Sequence, residues 1–288
     1  MRPEEADMSD HVVRLDPTAT IRADVTPERA GWRHLGFQVR ALRAGEGFVS
    51  ESDGHEVCLL LLAGDADLSV GGERWTVAGR HGVFQGLPHA LYVPPGERYG
   101  VRATTDLELA VGMAAADGRL PPRLITPDDV KVEIRGGHNV TRQISHVLDP
   151  GDAEKLLCVE VYTPSGNWSS YPPHRHDEHH PGVEVELDEI YHYRLDPPDG
   201  WALQRLYTDD RSLNDVVIVG NGDTVLVRRG YHPVAMAPGY DGYYLNFLAG
   251  EHPSWDARDE PDLAWVRGQW AGREGRLQLP LSGTGRDA

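Results

Sequence analysis

The chain has 288 residues, of which 40% are hydrophobic, and this is enough for one large β domain or two smaller ones. Its formal net charge of −17 argues against nucleic acid and anionic membranes as partners, because both need a basic protein surface. The sequence has no apolar run of about 18 residues that would span a membrane. The acidic N-terminal segment lacks the apolar stretch of a secretory signal, so a cytoplasmic protein is expected.

Short strand-like segments recur along the chain, separated by turns that contain glycine and proline. Segments this short and evenly spaced predict an all-β sandwich or barrel. Helical periodicity is weak except in PDLAWVRGQW near the C-terminus. In chain order, the predicted strands lie in LGFQVRAL, EVCLLLLAG, DADLSV, ERWTV, ALYVP, YGVRA, LELAVGMA, KVEIRG, LLCVEVYT, DEIYHYRL, WALQRLYT, VVIVG, TVLVRR and YYLNFLAG.

The two halves of the chain look like versions of one unit. Glu56 opens the strand EVCL in the first half, and Glu189 opens the strand EIYH in the second. The segment between them at 116–130 is rich in proline, glycine and aspartate, which is typical of a linker. We therefore predict two tandem β-barrels, an N-terminal one at residues 1–125 and a C-terminal one at residues 126–288.

The segment SYPPHRHDEHH at 170–180 holds four of the 14 histidines of the chain. On a strand, side chains i and i+2 face the same way, about 7 Å apart. His174 and His176 could therefore project together into a barrel. The order of this pair, then Glu189 opening a strand, then His232 after a glycine turn resembles the cupin signature. Three imidazoles and one carboxylate suit a divalent ion such as zinc, iron or manganese.

Other interpretations of this segment stay open at the level of sequence. A histidine pair in a polar loop can simply be solvated, and His179 and His180 are interpreted as loop residues. The glutamate is separated from the histidine pair by an insertion, and we prefer Glu189 because it opens a strand. In the first half, Tyr99 stands where the late histidine is expected, which predicts a barrel without metal ligands. Three further glutamates compete for the carboxylate position: Glu178, Glu184 and Glu186.

Long segments of the chain resemble the 5-deoxy-glucuronate isomerases of myo-inositol catabolism, which are bicupins. The related 4-deoxy-5-keto-uronate isomerases of pectin breakdown lack the insertion before the glutamate. The resemblance implies a bicupin, or double jelly roll, and an aldose–ketose isomerisation of 5-deoxy-D-glucuronate to 5-dehydro-2-deoxy-D-gluconate. It also implies one bound divalent metal ion, zinc first, on His174, His176, Glu189 and His232. The segments that carry it are TPERAGWRHLGFQVRAL, NWSSYPPHRHD, DEIYHYRLDPPDGWALQRLYT, GYHPVAMAPGYDGYYLNFLAG and DEPDLAWVRGQW.

An isomerase that moves a proton between adjacent carbons needs a base close to the carbon-bound proton. The candidate catalytic residues are Tyr191, which is expected to face the barrel interior with Glu189, Tyr244, which shares a strand face with Asn246, and Glu178, the carboxylate nearest the histidine pair. Core packing is the alternative interpretation of each tyrosine.

The carboxylate of a sugar acid favours an arginine that can bind it through two hydrogen bonds. Arg205 is the first choice for this contact and Arg142 the second. Further predicted substrate contacts are Gln204, Tyr207 and Asn246.

Two other classes of function use the same residues. An iron-dependent cupin dioxygenase would need the same four ligands together with O₂, and a non-catalytic sugar-binding cupin would tolerate their loss. Retention of all four in the second half favours an enzyme. A small sugar acid is the expected partner, and exposed barrel edges make a homo-oligomer plausible.

Overall fold

The structure, a computed structural model, describes residues 11–270 of the chain, and within them it is built almost entirely of strands. The all-β prediction is thus confirmed. Helical structure in this part is limited to α1 at Pro27–Ala30 and 3₁₀ helices at Pro127–Asp129, His138–Val140 and Ala264–Gln269. The last of these lies within the segment with helical periodicity at 261–270. None of the helices among the described residues is long and apolar enough to cross a membrane.

The first half forms a barrel from a six-stranded and a four-stranded antiparallel sheet. Aliphatic side chains of the two sheets meet in its core, among them Leu59, Leu68 and Val101. The sheet orders are β11-β8-β5-β10-β3-β2 and β4-β9-β6-β7. The strands are β1 Val12–Val13, β2 Ile21–Val25, β3 Gly36–Leu42, β4 Gly47–Glu51, β5 His55–Ala63, β6 Ala66–Val70, β7 Glu73–Val77, β8 Ala90–Val93, β9 Arg98–Ala103, β10 Leu107–Ala115 and β11 Arg123–Ile125.

The second half repeats this plan with a seven-stranded and a four-stranded sheet. The orders are β1-β20-β17-β22-β14-β13-β12 and β15-β21-β18-β19, and β16 pairs with β23. The strands are β12 Lys131–Arg135, β13 Arg142–Leu148, β14 Leu156–Thr163, β15 Trp168–Ser169, β16 His174–Arg175, β17 Asp188–Asp196, β18 Ala202–Tyr207, β19 Asn214–Val219, β20 Thr224–Val227, β21 Val234–Met236, β22 Asp241–Ala249 and β23 Arg258–Asp259.

Strand β1 belongs to the sheet of the second half, although it comes at the start of the chain. Val12 and Val13 pair with Val225 and Thr224 of β20. The boundary between residues 125 and 126 stays a prediction, and residues 1–10 and 271–288 of the two predicted domains lie outside the described range.

The two large sheets pack against each other and form a second core between the barrels. Side-chain alternation in β5 places Val57 in the core of the first barrel and Cys58 in the core between the barrels. In β17, Ile190 faces the core between the barrels, so Asp188 shares its side and Glu189 faces the barrel interior. The equivalent of Glu189 in the first half is therefore Val57. The predicted correspondence of Glu56 with Glu189 is therefore wrong by one residue, and Glu56 corresponds to Asp188.

Two carboxylates join the barrels in a reciprocal way. Glu56 of β5 accepts hydrogen bonds of 2.7–2.8 Å from the backbone N–H groups of residues 154–156, which lead into β14. Asp188 of β17 accepts hydrogen bonds of 2.6–3.3 Å from the N–H groups of residues 33–35, which lead into β3. A carboxylate of each barrel thus binds the backbone N–H groups that come just before one strand of the other barrel.

Candidate metal centre

Three of the four predicted ligands converge inside the second barrel. His176 follows the short strand β16, Glu189 is the second residue of β17, and His232 precedes β21. Their donor atoms all lie within 4.8 Å of one another, and all three residues are buried. Glu189 Oε2 lies 2.9 Å from His176 Nε2 and 3.3 Å from His232 Nε2.

The backbone fixes which ring nitrogen each histidine turns inward. His176 Nδ1 donates to the carbonyl of Leu187 at 3.0 Å, and His232 Nδ1 donates to the carbonyl of Gly230 at 2.9 Å. In the neutral form of each ring, Nε2 therefore carries the lone pair and faces the cluster, as in metal sites where a second hydrogen bond selects the tautomer.

The donor set fits a divalent cation. His232 Nε2 is buried, and it has no hydrogen-bond partner among residues 11–270. Burial lowers the pKa of His232, which keeps its lone pair available. Burial also opposes the charged form of His176, but the hydrogen bond and the negative charge of Glu189 outweigh it and raise the pKa of His176. Imidazole nitrogens combined with a carboxylate oxygen are typical ligands of zinc, iron and manganese.

His174 lies beside this group and outside the three-residue cluster. Its ring centre is 4.7 Å from that of His232, in an edge-on arrangement. Burial, followed by the nearby His232 and His176 rings, lowers the pKa of His174 well below its usual value. The predicted fourth ligand is therefore a neutral imidazole at the edge of the cluster.

The cluster opens into a cavity of about 200 Å³. Strands β13, β14, β17 and β22 form its wall, and the segment 254–257 covers one side. Polar and charged side chains around it are Arg135, Arg142, His146, Ser170, His174, His176, Glu189, Tyr191, Tyr244, Asn246, Ser254, Trp255, Asp256 and Arg267. A concave site with convergent polar groups is a candidate small-molecule site, and this mostly polar lining suits a polar ligand.

Both predicted tyrosines line the cavity and form one hydroxyl network. Tyr191 Oη lies 3.0 Å from Ser170 Oγ, and Tyr244 Oη lies 2.5 Å from Ser169 Oγ and 3.4 Å from Ser170 Oγ. Burial raises the pKa of Tyr191 well above its usual value and also raises that of Tyr244. Both phenols are therefore protonated at neutral pH. Asn246 also lines the cavity, and its amide donates to the carbonyl of Ile190 at 3.0 Å.

Of the two predicted arginines, the structure brings only Arg142 to the cavity. Its guanidinium is buried and donates to the carbonyls of Val140 and Tyr171 at 3.1 and 3.3 Å. Arg205, the first choice, does not line the cavity. It turns to the opposite side of β18, where it bonds Asn214 Oδ1 at 2.7 Å and stacks 4.0 Å above the Tyr207 ring.

Three other predicted site residues also lie away from the cavity lining. Gln204 is buried beneath it and accepts a hydrogen bond of 2.8 Å from Tyr193 Oη. The Tyr207 hydroxyl donates to Glu260. Glu178 is exposed and pairs with His180 at 2.9 Å, because the inserted segment carries it to the surface.

The competing glutamates of the insertion are also accounted for. Glu184 is fully buried and pairs with Arg175 and Arg258 at 3.3 and 3.2 Å. Glu186 is exposed. Neither lines the cavity, and the structure favours Glu189 among the four.

Sequence reasoning missed His146 and Trp255. His146 shares a strand face with Arg142, four residues earlier, and this spacing was the available signal. Trp255 lies in an irregular segment after β22 and had no pattern around it.

Comparison with known proteins places these observations in context. A model of the KduI/IolB family matches residues 11–266. A 5-deoxy-glucuronate isomerase of Geobacillus thermodenitrificans strain NG80-2 is 49% identical over 245 residues, which cover 84% of this chain and 89% of the relative. The crystal structure of an IolB-like protein from Salmonella typhimurium LT2 is 41% identical, with a TM-score of 0.87, and the match covers 90% of this chain and 99% of that one.

A more distant structural likeness concerns the fold alone. Oxalate decarboxylase of Lactobacillus farciminis superposes with a TM-score of 0.62 at 10% identity, over 89% of this chain and 90% of that one. Oxalate decarboxylases are cupins, and the predicted bicupin architecture is confirmed.

Proposed function

We propose that this chain, which belongs to the KduI/IolB family, is a 5-deoxy-glucuronate isomerase of inositol catabolism. The reaction converts 5-deoxy-D-glucuronate to 5-dehydro-2-deoxy-D-gluconate, an aldose to a ketose. The observation that carries the proposal is the 49% identity with a 5-deoxy-glucuronate isomerase over most of both chains. The buried His/Glu cluster in a cavity that arginine side chains also line supports it.

We propose that His176, Glu189 and His232 hold one divalent cation, with His174 as the fourth ligand. Zinc is our first choice, and manganese or iron suit the same donors. The bound cation would supply Lewis-acid polarisation of the substrate carbonyl and hydroxyl oxygens. Gly230 and Leu187 keep the two buried imidazoles in the required tautomer through their carbonyls.

Arg142 is our candidate for the substrate carboxylate. Among the described residues its hydrogen bonds go to the backbone carbonyls of Val140 and Tyr171 and not to a carboxylate, although the side chain is buried. The other two arginines of the cavity already have acidic partners: Arg135 pairs with Glu133 at 2.8 Å, and Arg267 pairs with Asp259. A bound carboxylate would give Arg142 the counter-charge that it lacks.

Tyr191, Tyr244 and Asn246 are our candidates for contacts with the sugar hydroxyls. The raised pKa values of the two phenols favour donation of hydrogen bonds over abstraction of a proton. Ser169 and Ser170 orient both hydroxyl groups.

We also propose that the protein works in the cytoplasm as a homo-oligomer. The two cysteines Cys58 and Cys158 are buried and unpaired, which suits a reducing compartment. Edge strand β19 presents Val216 and Ile218, which are 59% and 62% exposed, and a second copy could cover them.

The test of the proposed function starts with the metal content of the purified protein. Conversion of 5-deoxy-D-glucuronate is then followed by NMR, in air and under nitrogen, with and without a chelator. We expect conversion to the ketose that the chelator abolishes, that added metal restores and that does not need O₂. His176→Ala should lose metal and activity together, whereas the exposed His180→Gln should keep both. Metal-loaded protein without turnover would contradict the proposal, and oxygen-dependent turnover would indicate a dioxygenase.

A further inference from the structure

His146 forms a polar dyad on the cavity wall that is separate from the candidate ligands. It lies on β13, on the same face as Arg142, and is 8% exposed. Its Nδ1 lies 2.8 Å from Asp149 Oδ1, and the Trp255 indole N–H donates to the same oxygen at 2.8 Å. The Trp255 ring also packs edge-on against the imidazole. The Asp149 carboxylate therefore selects the tautomer with its proton on Nδ1 and leaves the lone pair on Nε2.

The Nε2 atom of His146 is buried, and it has no hydrogen-bond partner within residues 11–270. The nearest acidic oxygen is Glu133 Oε2, at 3.5 Å. That carboxylate is already bound by Arg135 through two hydrogen bonds of 3.0 and 2.8 Å. Buried polar atoms nearly always have a partner, and a ligand in the adjoining cavity can supply one.

The other titratable groups of the cavity are less suited to accept a proton from carbon. His176, Glu189 and His232 form the candidate metal cluster and His174 is its proposed fourth ligand, so their lone pairs are committed. Tyr191 and Tyr244 are protonated at neutral pH, as described above. The remaining carboxylate is Asp256, whose Oδ2 accepts a hydrogen bond of 3.2 Å from the backbone N–H of Gly182. His146 combines two features of a general base, a ring nitrogen without a hydrogen-bond partner among the described residues and a second group that orients the ring.

We propose that His146 is the acid–base group of the isomerisation and that Asp149 positions it; this inference rests on the proposed function. His146 Nε2 removes the proton from the hydroxyl-bearing carbon next to the aldehyde. The C–H electron pair becomes the C=C bond of an enediol as the aldehyde π pair moves onto its oxygen. The hydroxyl proton passes from one oxygen to the other, and protonated Nε2 returns a proton to the former aldehyde carbon. The ketose forms with no net change in protons or electrons.

The experiment compares metal-loaded wild type with His146→Gln in D₂O, where NMR follows both turnover and deuterium in the new hydroxymethyl group. We expect deuterium in the wild-type product. In His146→Gln we expect kcat to fall by about 100-fold or more, since positioned acid–base groups contribute about 10²–10⁴ in rate. KM should change less than about threefold and metal content should not change. His180→Gln is the matched control, and its kcat should equal that of wild type.

Asp149→Asn gives a second readout that a purely structural role would not affect. The charged groups around His146 are Asp149, Glu133 and Arg135, with Lys131 as its exposed backbone neighbour on β12. Loss of the Asp149 carboxylate removes the acceptor that holds the proton on Nδ1, so Nε2 is no longer fixed as the nitrogen with the lone pair. We therefore expect kcat to fall while KM and metal content stay at the wild-type values.

Several results would overturn the inference. One is a His146→Gln enzyme that keeps kcat within about threefold of wild type. Another is a collapse of kcat in Asp256→Asn while His146→Gln stays active, which would make Asp256 the base. If His146→Gln does not fold or loses metal, Asp149→Asn decides, and a wild-type kcat in that variant refutes the inference. A wild type that is inactive on 5-deoxy-D-glucuronate is a separate result, since it refutes the proposed function itself.

Discussion

Arg142 is a buried cation next to two other cations. Burial lowers the pKa of Arg142 to about 10, and the charges of Arg135 and Arg267 act in the same direction. The guanidinium is still charged at neutral pH, and among the described residues it hydrogen-bonds to backbone carbonyls and not to a carboxylate, which makes its burial costly. An anionic ligand would lower that cost.

Arg142→Met should weaken substrate binding strongly. A hydrogen bond to a charged group contributes about 1.5–3 kcal/mol, which corresponds to about a 10- to 150-fold rise in KM. Steady-state kinetics on the metal-loaded enzyme measures this rise. Arg205→Met removes an arginine of the same barrel that lies outside the cavity, and its KM should match wild type. A larger effect from Arg205→Met than from Arg142→Met would place the carboxylate elsewhere.

At the scale of the element, the turn between β20 and β21 sets the position of His232. Gly230 has φ +85°, and a Cβ there would lie 2.4 Å from the carbonyl oxygen of Tyr207. Its N–H donates to both carboxylate oxygens of Asp177 at 2.8 and 2.9 Å, and its carbonyl accepts from His232 Nδ1. The turn therefore has little room to shift without moving His232.

Gly230→Ala should lower metal affinity although it changes no ligand. The Cβ must displace the backbone of Tyr207 or of the turn, and His232 moves with the turn. Metal titration of the apoprotein measures the effect, which we expect to be about tenfold or more in Kd, as for changes in the support of metal ligands. Gly239→Ala is the control, because Gly239 also has a positive φ of +96° but has no neighbour within 4 Å of the added Cβ. If the two variants bind metal with equal affinity, the effect comes from the strain of alanine at a positive φ and not from a displaced His232.

The residue pattern predicted most strands, but it did not predict which face of each strand is buried. In β18, Gln204 faces inward and bonds Tyr193, so Arg205 faces outward. WALQRLYT has bulky residues on both faces, so only the pairing with β19 and β21 fixes which side is buried. Glu178 lies in an insertion whose path no periodicity describes. His146 lies in the fully buried strand β13 and looks like a core residue until the cavity is seen.

At the scale of the whole molecule, a buried ion pair crosses the interface between the barrels. Arg80 precedes β8 of the first barrel, and its guanidinium binds Glu160 of β14 in the second. The side chains are 3% and 0% exposed. Tyr243 Oη donates to Glu160 at 2.7 Å, and Tyr162 Oη donates to the carbonyl of Val83 at 2.8 Å. The pair is thus part of one network that joins the two halves.

Arg80→Met should destabilise the protein by about 3–5 kcal/mol, because it leaves the Glu160 carboxylate buried without a counter-charge. Denaturant unfolding measures the loss. The double variant Arg80→Met/Glu160→Gln should recover part of it, since no net charge then remains buried. Arg98→Met removes the exposed arginine of the 3.8 Å pair with Glu51 and should change stability by less than about 1 kcal/mol. A small effect of Arg80→Met would mean that water reaches Glu160.

The reciprocal carboxylates also bear on why a barrel without the ligand set is retained. Asp188, which caps residues 33–35 of the first barrel, is the immediate neighbour of Glu189. The first barrel therefore helps to hold β17, the strand that carries the candidate ligand Glu189, in position. A fragment cut at the linker would keep every residue of the cluster and lose its alignment. The candidate metal site therefore depends on both halves being present in one chain. Each half is free to change in sequence only at positions that the other half does not contact.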